Sequence, residues 1–441
     1  MIPLSFAQRR LWFLHQFEGP SATYNIPVTL RLTGALDPAA LVASVRDVVA
    51  RHESLRTLFA ENAEGVPFQQ VLPLDEAGCD VPFIESGADT VDAAVARVAR
   101  HAFDLCGEIP FRATLFRCSE QESVLALVMH HSAADGESMG PLVHDLATAY
   151  EARRRGGAPQ WDELPVQYTD YTLWQRELLG DEDDPDSELA AQLAYWRDTL
   201  TGAPQPLQLP VDRPRPAVPT REGGLVEFTL DPEDWTGVQR LAATTCTSAP
   251  MVLQSVLAVL LNRLGCGDDV SIGSPIAGRT DEALSGLVGF FVNTWVLRAD
   301  LSGDPTFLEV LRRVQDKALS AYDHQDAPFD RLVEAVNPER SSAHHPLFQV
   351  MFAWQETPHL TLDMGEVRAE LRMVPTHTAK FDLDFGFGVE GSGRGLGGYV
   401  EYAKDLFDRG SVEALVGRFV RVLRQVVADP GGRVGAVDVL S

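Results

Sequence analysis

The segment Met129-His130-His131-Ser132-Ala133-Ala134-Asp135-Gly136 gathers the side chains of this chain best suited to chemistry. An imidazole titrates near neutral pH, so a histidine beside a cleft can accept a proton from an attacking amine or hydroxyl, or orient it. The pattern His-His-x-x-x-Asp-Gly follows an apolar run, Val124 to Met129. It precedes an amphipathic stretch, Ser138 to Arg155, with Leu142, Val143, Leu146 and Tyr150 on one side. A strand end feeding a helix is where α/β proteins display reactive groups. Adjacent residues on a strand point to opposite faces, so one ring is expected in the core and the other in a cleft. The same geometry argues against His130 and His131 gripping one metal ion, and no metal site is expected. Gly136 permits close backbone approach, and Asp135 can hydrogen-bond locally or pair with an arginine.

The elements that must position this motif follow from periodicity. Asn25 to Leu32 places Ile26, Val28, Leu30 and Leu32 on one face of a strand. Asp37-Pro38 opens a helix, with Asp as cap, Pro at the first turn and Leu41, Val45, Val48 and Val49 as the apolar face. A second helix is expected over Val91 to Phe103, and strands over Phe111–Phe116 and Val124–Met129. Gly180 to Ser187 reads as an exposed acidic loop, Glu188 to Leu200 as a helix, and the proline-rich Gly202 to Gly224 as irregular. The second half echoes the first: a strand over Val226–Leu230, then Asp231-Pro232 with the same capping chemistry. Further along are an apolar helix over Pro250–Leu264, strands over Val270–Ser274 and Phe348–Trp354, and a long helix over Thr306–Gln325. Trp12, Trp174 and Trp354 read as core, and Phe290 to Val296 on its own reads as a buried strand. Alternating elements of this kind indicate an α/β layered architecture in two lobes.

Composition bounds the function. The chain has 441 residues, 37 Lys and Arg against 63 Asp and Glu, and a net charge of −26. Such a field repels phosphate backbones and anionic lipid, so neither nucleic acid nor a membrane surface is an expected partner. The longest apolar run, Met251 to Leu261, is shorter than a bilayer requires and is broken by Gln254 and Ser255. The five cysteines are dispersed without a CxxC pair, which supports neither a disulfide framework nor a zinc site. Reduced thiols in a soluble, cytoplasmic protein are the expectation.

Taken together, the motifs resemble those of the condensation domains of nonribosomal peptide synthetases, members of the chloramphenicol acetyltransferase-like superfamily whose signature is HHxxxDG. The resemblance runs through Ser5–Leu14, Arg51–Thr57, the histidine motif and Tyr168–Trp174. It continues through Val288–Thr294, His324–Asp330, His345–Val350 and Lys380–Leu383. It implies an α/β fold of two chloramphenicol acetyltransferase-like lobes in a V-shaped pseudo-dimer with a central tunnel. Residues 1–180 would form the N-terminal lobe with the motif. Residues 181–441 would form the C-terminal lobe, with bridging segments back to the first, the Phe290–Thr294 region among them.

The implied reaction transfers a donor peptidyl or acyl thioester to the amine of an acceptor aminoacyl thioester. Both substrates would arrive on phosphopantetheine arms of upstream and downstream peptidyl carrier proteins, with no cofactor bound by the domain itself. By resemblance His131 is the catalytic histidine, as general base or positioning acceptor, and His130 is structural. Asp135 would pair with Arg279 of Ser274–Arg279, and Gly136 would let backbone N–H groups approach the reacting carbonyl. Ser132 departs from the large apolar residue usual there. The segment Gly19–Asn25 and the acidic Gly180–Ser187 insertion resemble the subgroup that takes donors ending in a D-residue. Flanking epimerisation and adenylation domains are expected in the parent protein, because the chain starts near the opening motif and stops at Val437–Ser441. Two other readings stand beside this one. One is epimerisation or another acyl transfer using the same histidine. The other is a non-catalytic platform for carriers or tailoring enzymes, for which Arg153-Arg154-Arg155 offers either a basic landing site or simply solvated cations at a helix C-terminus.

Overall fold

A computed structural model describes residues 1–338, 341–355, 361–389 and 395–440; the terminal Ser441 lies outside the described residues. The chain divides into two compact units. The first comprises Met1–Gly180, Ala277–Val292 and Pro358–Thr376, and the second Asp181–Ile276, Asn293–Thr357 and His377–Ser441. Within the stretch 290–294, Phe290 to Val292 thus belongs to the first unit, and Asn293 and Thr294 to the second.

In the first unit a six-stranded sheet runs in the order Thr361–Met364, Val367–Met373, Asn25–Gly34, Glu122–His130, Phe111–Arg117, Phe83–Glu85. All neighbours are antiparallel except the last pair. Glu122–His130 is central and apolar on both faces, and each face has its own cover. Leu125, Leu127 and Met129 join Ile26, Val28, Leu30 and Leu32 under the helices Pro38–Arg51 and Met139–Arg154. On the other face, Val124 and Ala126 meet Val91 and Val95 of the helix Val91–Ala99, while Val128 packs with Phe59, Phe103 and Leu105. That helix ends four residues earlier than periodicity suggests. Phe103 is still buried, but from a loop. The helix Pro38–Arg51 starts where Asp37 Oδ1 accepts the N–H groups of Ala39 and Ala40, both at 3.0 Å. A separate three-stranded sheet, Ile2–Pro3, Pro67–Val71, Thr57–Glu61, leads into the helix Phe6–Glu18, capped by Ser5 and Gln8.

The second unit has its own six-stranded sheet, ordered Asn293–Asp300, Asp269–Ile276, Val350–Trp354, Leu383–Val389, Leu396–Ala403, Gly223–Leu230. Val350–Trp354 is parallel to both its neighbours. The helix Ala249–Leu261 lies among Pro232–Thr245, Phe307–Asp323 and Arg409–Ala428. Every residue from Met251 to Leu261 is buried. Truncating one of its leucines to alanine would cost about 2–5 kcal/mol.

Several expectations need correction. The apolar helix continues as a wider turn over Asn262–Cys266, so the window Ala249–Cys266 reaches 18 residues with a mean hydropathy of 1.4. It is long and apolar enough to cross a bilayer, yet 67% of it is buried inside the protein, the pattern of a core helix. Asp231 does not cap the helix Pro232–Thr245; its Oδ2 accepts from Arg424 Nη2 at 2.6 Å instead. Trp174 is 40% exposed, because the helix Tyr168–Leu179 buries Tyr168, Tyr171 and Thr172 on its other side. Trp12 and Trp354 are only partly buried. The strand that Phe290 was expected to open begins at Asn293.

Candidate active site

The central strand ends at His130, and His131 is the first residue of the turn that follows. His130 shares the face of Val124, Ala126 and Val128, so it packs toward Phe103, with ring centroids 6.1 Å apart. Its Nδ1 accepts the Ser132 N–H at 3.2 Å and has the Ser132 hydroxyl at 2.9 Å. An accepting Nδ1 means the neutral ring carries its proton on Nε2. Ser132 therefore has a job in this sequence: it ties down the buried histidine. A shallow, solvent-open depression lies on this side, bounded by Leu11, Leu14, His15, Tyr24, Phe103 and His130.

His131 is half-buried and belongs to the turn, so strand pleating does not set its direction. Nδ1 lies 3.1 Å from the Ala134 carbonyl. A carbonyl only accepts, so Nδ1 holds the proton and Nε2 is the basic nitrogen of the neutral ring. The Phe290 ring packs against the imidazole with centroids 5.1 Å apart.

Asp135 is 2% exposed, and both its oxygens are occupied. Oδ1 accepts from Arg279 Nη2 at 3.1 Å and from the Ser138 N–H at 3.0 Å, with the Ser138 hydroxyl at 2.8 Å. Oδ2 accepts the Phe291 N–H at 2.9 Å. Asp135 is thus a junction of the arginine, the turn and the segment around Phe291. Arg279 comes from 144 residues away, and donates through Nη1 to the carbonyls of Leu284 and Leu287 while lying 4.2 Å over the Phe291 ring. The turn before it requires glycine: Gly278 sits at φ +67°, and a Cβ there would lie 2.0 Å from the Phe291 carbonyl oxygen. A Cβ at Gly136, by contrast, would meet nothing within 4 Å.

Sequence reasoning missed Ser138 and the anchoring of the segment 288–291. The Ser138 hydroxyl accepts from Arg279 and from the Gly289 N–H, so one side chain links the motif, the arginine and the returning segment. The signal was an Asp followed three residues later by Ser before a helix, a spacing typical of local side-chain to backbone bonds. Around it, the Val288 N–H donates to His52 Nδ1 at 3.3 Å, and Ser54 donates to the Val288 carbonyl at 2.7 Å. The fully buried Tyr168 donates to the Phe290 carbonyl at 2.7 Å and in turn has Ser5 Oγ at 2.8 Å. Burial pushes the Tyr168 phenol well above its ordinary range, which keeps it a donor. His52 is held below its ordinary value, chiefly by burial, although its Nε2 faces Asp145 at 2.8 Å.

The basic triplet does not present open charge. Arg153 pairs with Asp47, Arg154 with Glu366 and Arg155 with Glu151, at 2.7, 2.9 and 2.8 Å. All five cysteines are free thiols. Among the described residues, ligand-type atoms of His15, Asp104 and Cys106 lie within 4.8 Å of one another, apart from the His131 turn.

Comparison with known proteins agrees with this architecture. The family model named Condensation domain matches residues 1–441. A dimodular nonribosomal peptide synthase of Bacillus subtilis is 50% identical over the whole chain, which covers 19% of that protein. An isonitrile lipopeptide synthase of Mycobacterium tuberculosis is 49% identical over the whole chain, which covers 18% of it. The chain therefore spans less than a fifth of the length of these relatives. Among solved structures, the X-domain in its complex with OxyB from teicoplanin biosynthesis superposes with a TM-score of 0.91 at 35% identity, covering 100% of this chain and 96% of that one. The mixed α/β fold in two lobes, the HHxxxDG strand end and the family match together place this chain in the condensation domain family of nonribosomal peptide synthetases.

Proposed function

We propose that this domain forms peptide bonds between two thioesters carried on phosphopantetheine arms. The amine of an acceptor aminoacyl thioester attacks the donor carbonyl; a C–N bond forms, the C–S bond breaks, and the proton lost by the amine ends on the departing thiol. The observation that carries this reading is the fixed tautomer of His131, whose Nδ1 faces the Ala134 carbonyl and whose Nε2 is basic. An α-amine has a pKa of about 8, so part of it is already neutral, and orientation of the pair could supply much of the acceleration. Asp135 and Arg279 act by holding the turn, and His130 by packing beneath it. Gly136 leaves room for the reacting carbonyl. The acidic loop Gly180–Ser187 and the segment Gly19–Asn25 resemble those of the subgroup that takes donors ending in a D-residue, and such a donor is the one proposed. The natural setting is a cytoplasmic synthetase with carrier, adenylation and epimerisation domains alongside.

The test is acyl transfer followed by intact-protein mass spectrometry, with one carrier loaded with a peptide ending in a D- or an L-residue and a second carrying an amino acid. A mass gain on the acceptor carrier, larger for the D-donor, is expected. Transfer equal for both donors removes the chirality assignment, and no transfer with any pair removes the enzymatic reading. A second reading, a docking platform, rests on the 35% identity to an X-domain solved with OxyB bound. It predicts stable binding of a partner protein without transfer.

A further inference from the structure

The returning segment 288–291 is anchored far more firmly than a connecting loop needs. Five groups hold its backbone: His52 and Ser54 bond to Val288, Ser138 to Gly289, Tyr168 to Phe290 and Asp135 to Phe291. Gly289 is packed so closely that a Cβ would lie 2.5 Å from the Tyr168 ring and 2.6 Å from that of Phe291. Phe291 then points inward, 3% exposed, against Tyr168, Tyr171 and Arg279. Phe290, its neighbour, is left half-exposed with its ring on His131. A hydrogen bond at Nδ1 fixes one edge of an imidazole, and torsion about the Cβ–Cγ bond is broad, so a ring packed on its face bears on the plane in which Nε2 points.

We infer that Phe290 is such a surface, a positioning residue that sets the His131 imidazole for transfer, with Asp135 acting on the histidine through the Phe291 N–H. The aspartate and the histidine of the motif are thereby coupled through a segment some 155 residues downstream in sequence, from Asp135 to the Phe291 N–H and through the adjoining Phe290 ring to His131. This rests on the proposed role of His131 in transfer, and it can be read without transfer. Displacing a positioned group by about 1 Å costs on the order of 100-fold in rate.

Histidine-selective NMR labelling reports the ring directly, with His131→Ala assigning its signals. Phe290→Ala is expected to shift and broaden the His131 ring signals and to weaken the slowly exchanging Nδ1 proton, while Phe290→Tyr restores them. Tyr168→Phe, which removes the anchor of the Phe290 carbonyl and keeps the buried ring, is expected to give the same change in smaller measure. In the transfer assay, Phe290→Ala is expected to lower the single-turnover rate about 10- to 100-fold at saturating carrier. The half-saturating carrier concentration should stay within about twofold, and Phe290→Tyr should recover most of the rate. His131 signals identical to wild type in both Phe290→Ala and Tyr168→Phe would overturn the inference. Absence of transfer by wild type would instead sink the proposed function and leave the ring signals to decide this one.

Discussion

Asp135 in the first unit and Asp384 in the second show how differently a protein can treat a carboxyl group taken out of water. Asp135 accepts from Arg279, from Ser138 and from the Phe291 N–H, so both oxygens have partners. Asp384 lies on the strand Leu383–Val389 directly across from Glu401, and its buried Oδ1 meets no hydrogen-bond partner among the described residues. Burial pushes Asp384 up to about 6 and Glu401 to about 8, with Asp384 adding to the rise in Glu401 and the charge of Lys380 opposing both. A saturated carboxylate organises the chain around it; a pair facing each other across a sheet stores protons instead. Asp135 thus fixes the turn that carries the site, whereas the Asp384–Glu401 pair makes stability depend on pH.

Removing Asp135 should have the largest effect. Asp135→Ala leaves a buried guanidinium without its partner and releases the Phe291 N–H, a loss of about 3–5 kcal/mol by denaturant titration. Asp135→Asn should lose less and still impair transfer, because an amide cannot accept at both positions.

In the second unit the sign reverses. The folded protein holds Glu401 protonated up to about pH 8, whereas the unfolded chain releases that proton near pH 4.5. Folded protein therefore binds more protons between these values, and stability falls as pH rises through that window, at up to about 1.4 kcal/mol per pH unit. Glu401→Gln should flatten the slope and leave the variant more stable than wild type at pH 8. A melting temperature series from pH 5 to 9 reads this, and an unchanged slope contradicts it.

His52 supplies the opposite dependence on the acid side. Its folded value lies below the unfolded value of about 6.5, so its contribution is complete above that pH and is lost as pH falls below it. His52→Gln should remove that acid-side slope below pH 6.5 in the same melting series. The smallest contrast is at the two Asp-Pro helix starts. Asp37→Ala should cost about 1 kcal/mol through its lost cap, and Asp231→Ala less than about 0.5 kcal/mol, since an exposed pair with Arg424 is all it gives up.

These contrasts also mark what one sequence can reveal. Periodicity placed the start of the strand at Asn25 and the helix Glu188–Leu200 to the residue, but it put both histidines on the strand, whereas His131 opens the turn. The family resemblance picked out Arg279 as the partner of Asp135 across 144 residues. Asp37 and Asp231 look alike in sequence, and only the approach of Arg424 separates cap from ion pair. The facing of Asp384 and Glu401 depends on strand register, which residue spacing within either strand does not encode. Phe290 read as one more residue of a buried strand, because nothing local says that the strand starts three residues later. Trp174 read as core, whereas its helix buries Tyr168 and Tyr171 and leaves the indole 40% exposed.

The most direct measurement is a single-turnover transfer assay comparing wild type with His131→Ala on carriers loaded with donor and acceptor. The account predicts acceptor-bound peptide for wild type and a fall of at least about 100-fold for the variant, with both proteins equally folded and equally able to bind carriers. Transfer by the variant at the wild-type rate would contradict the central role given to His131 and to the segment that holds it.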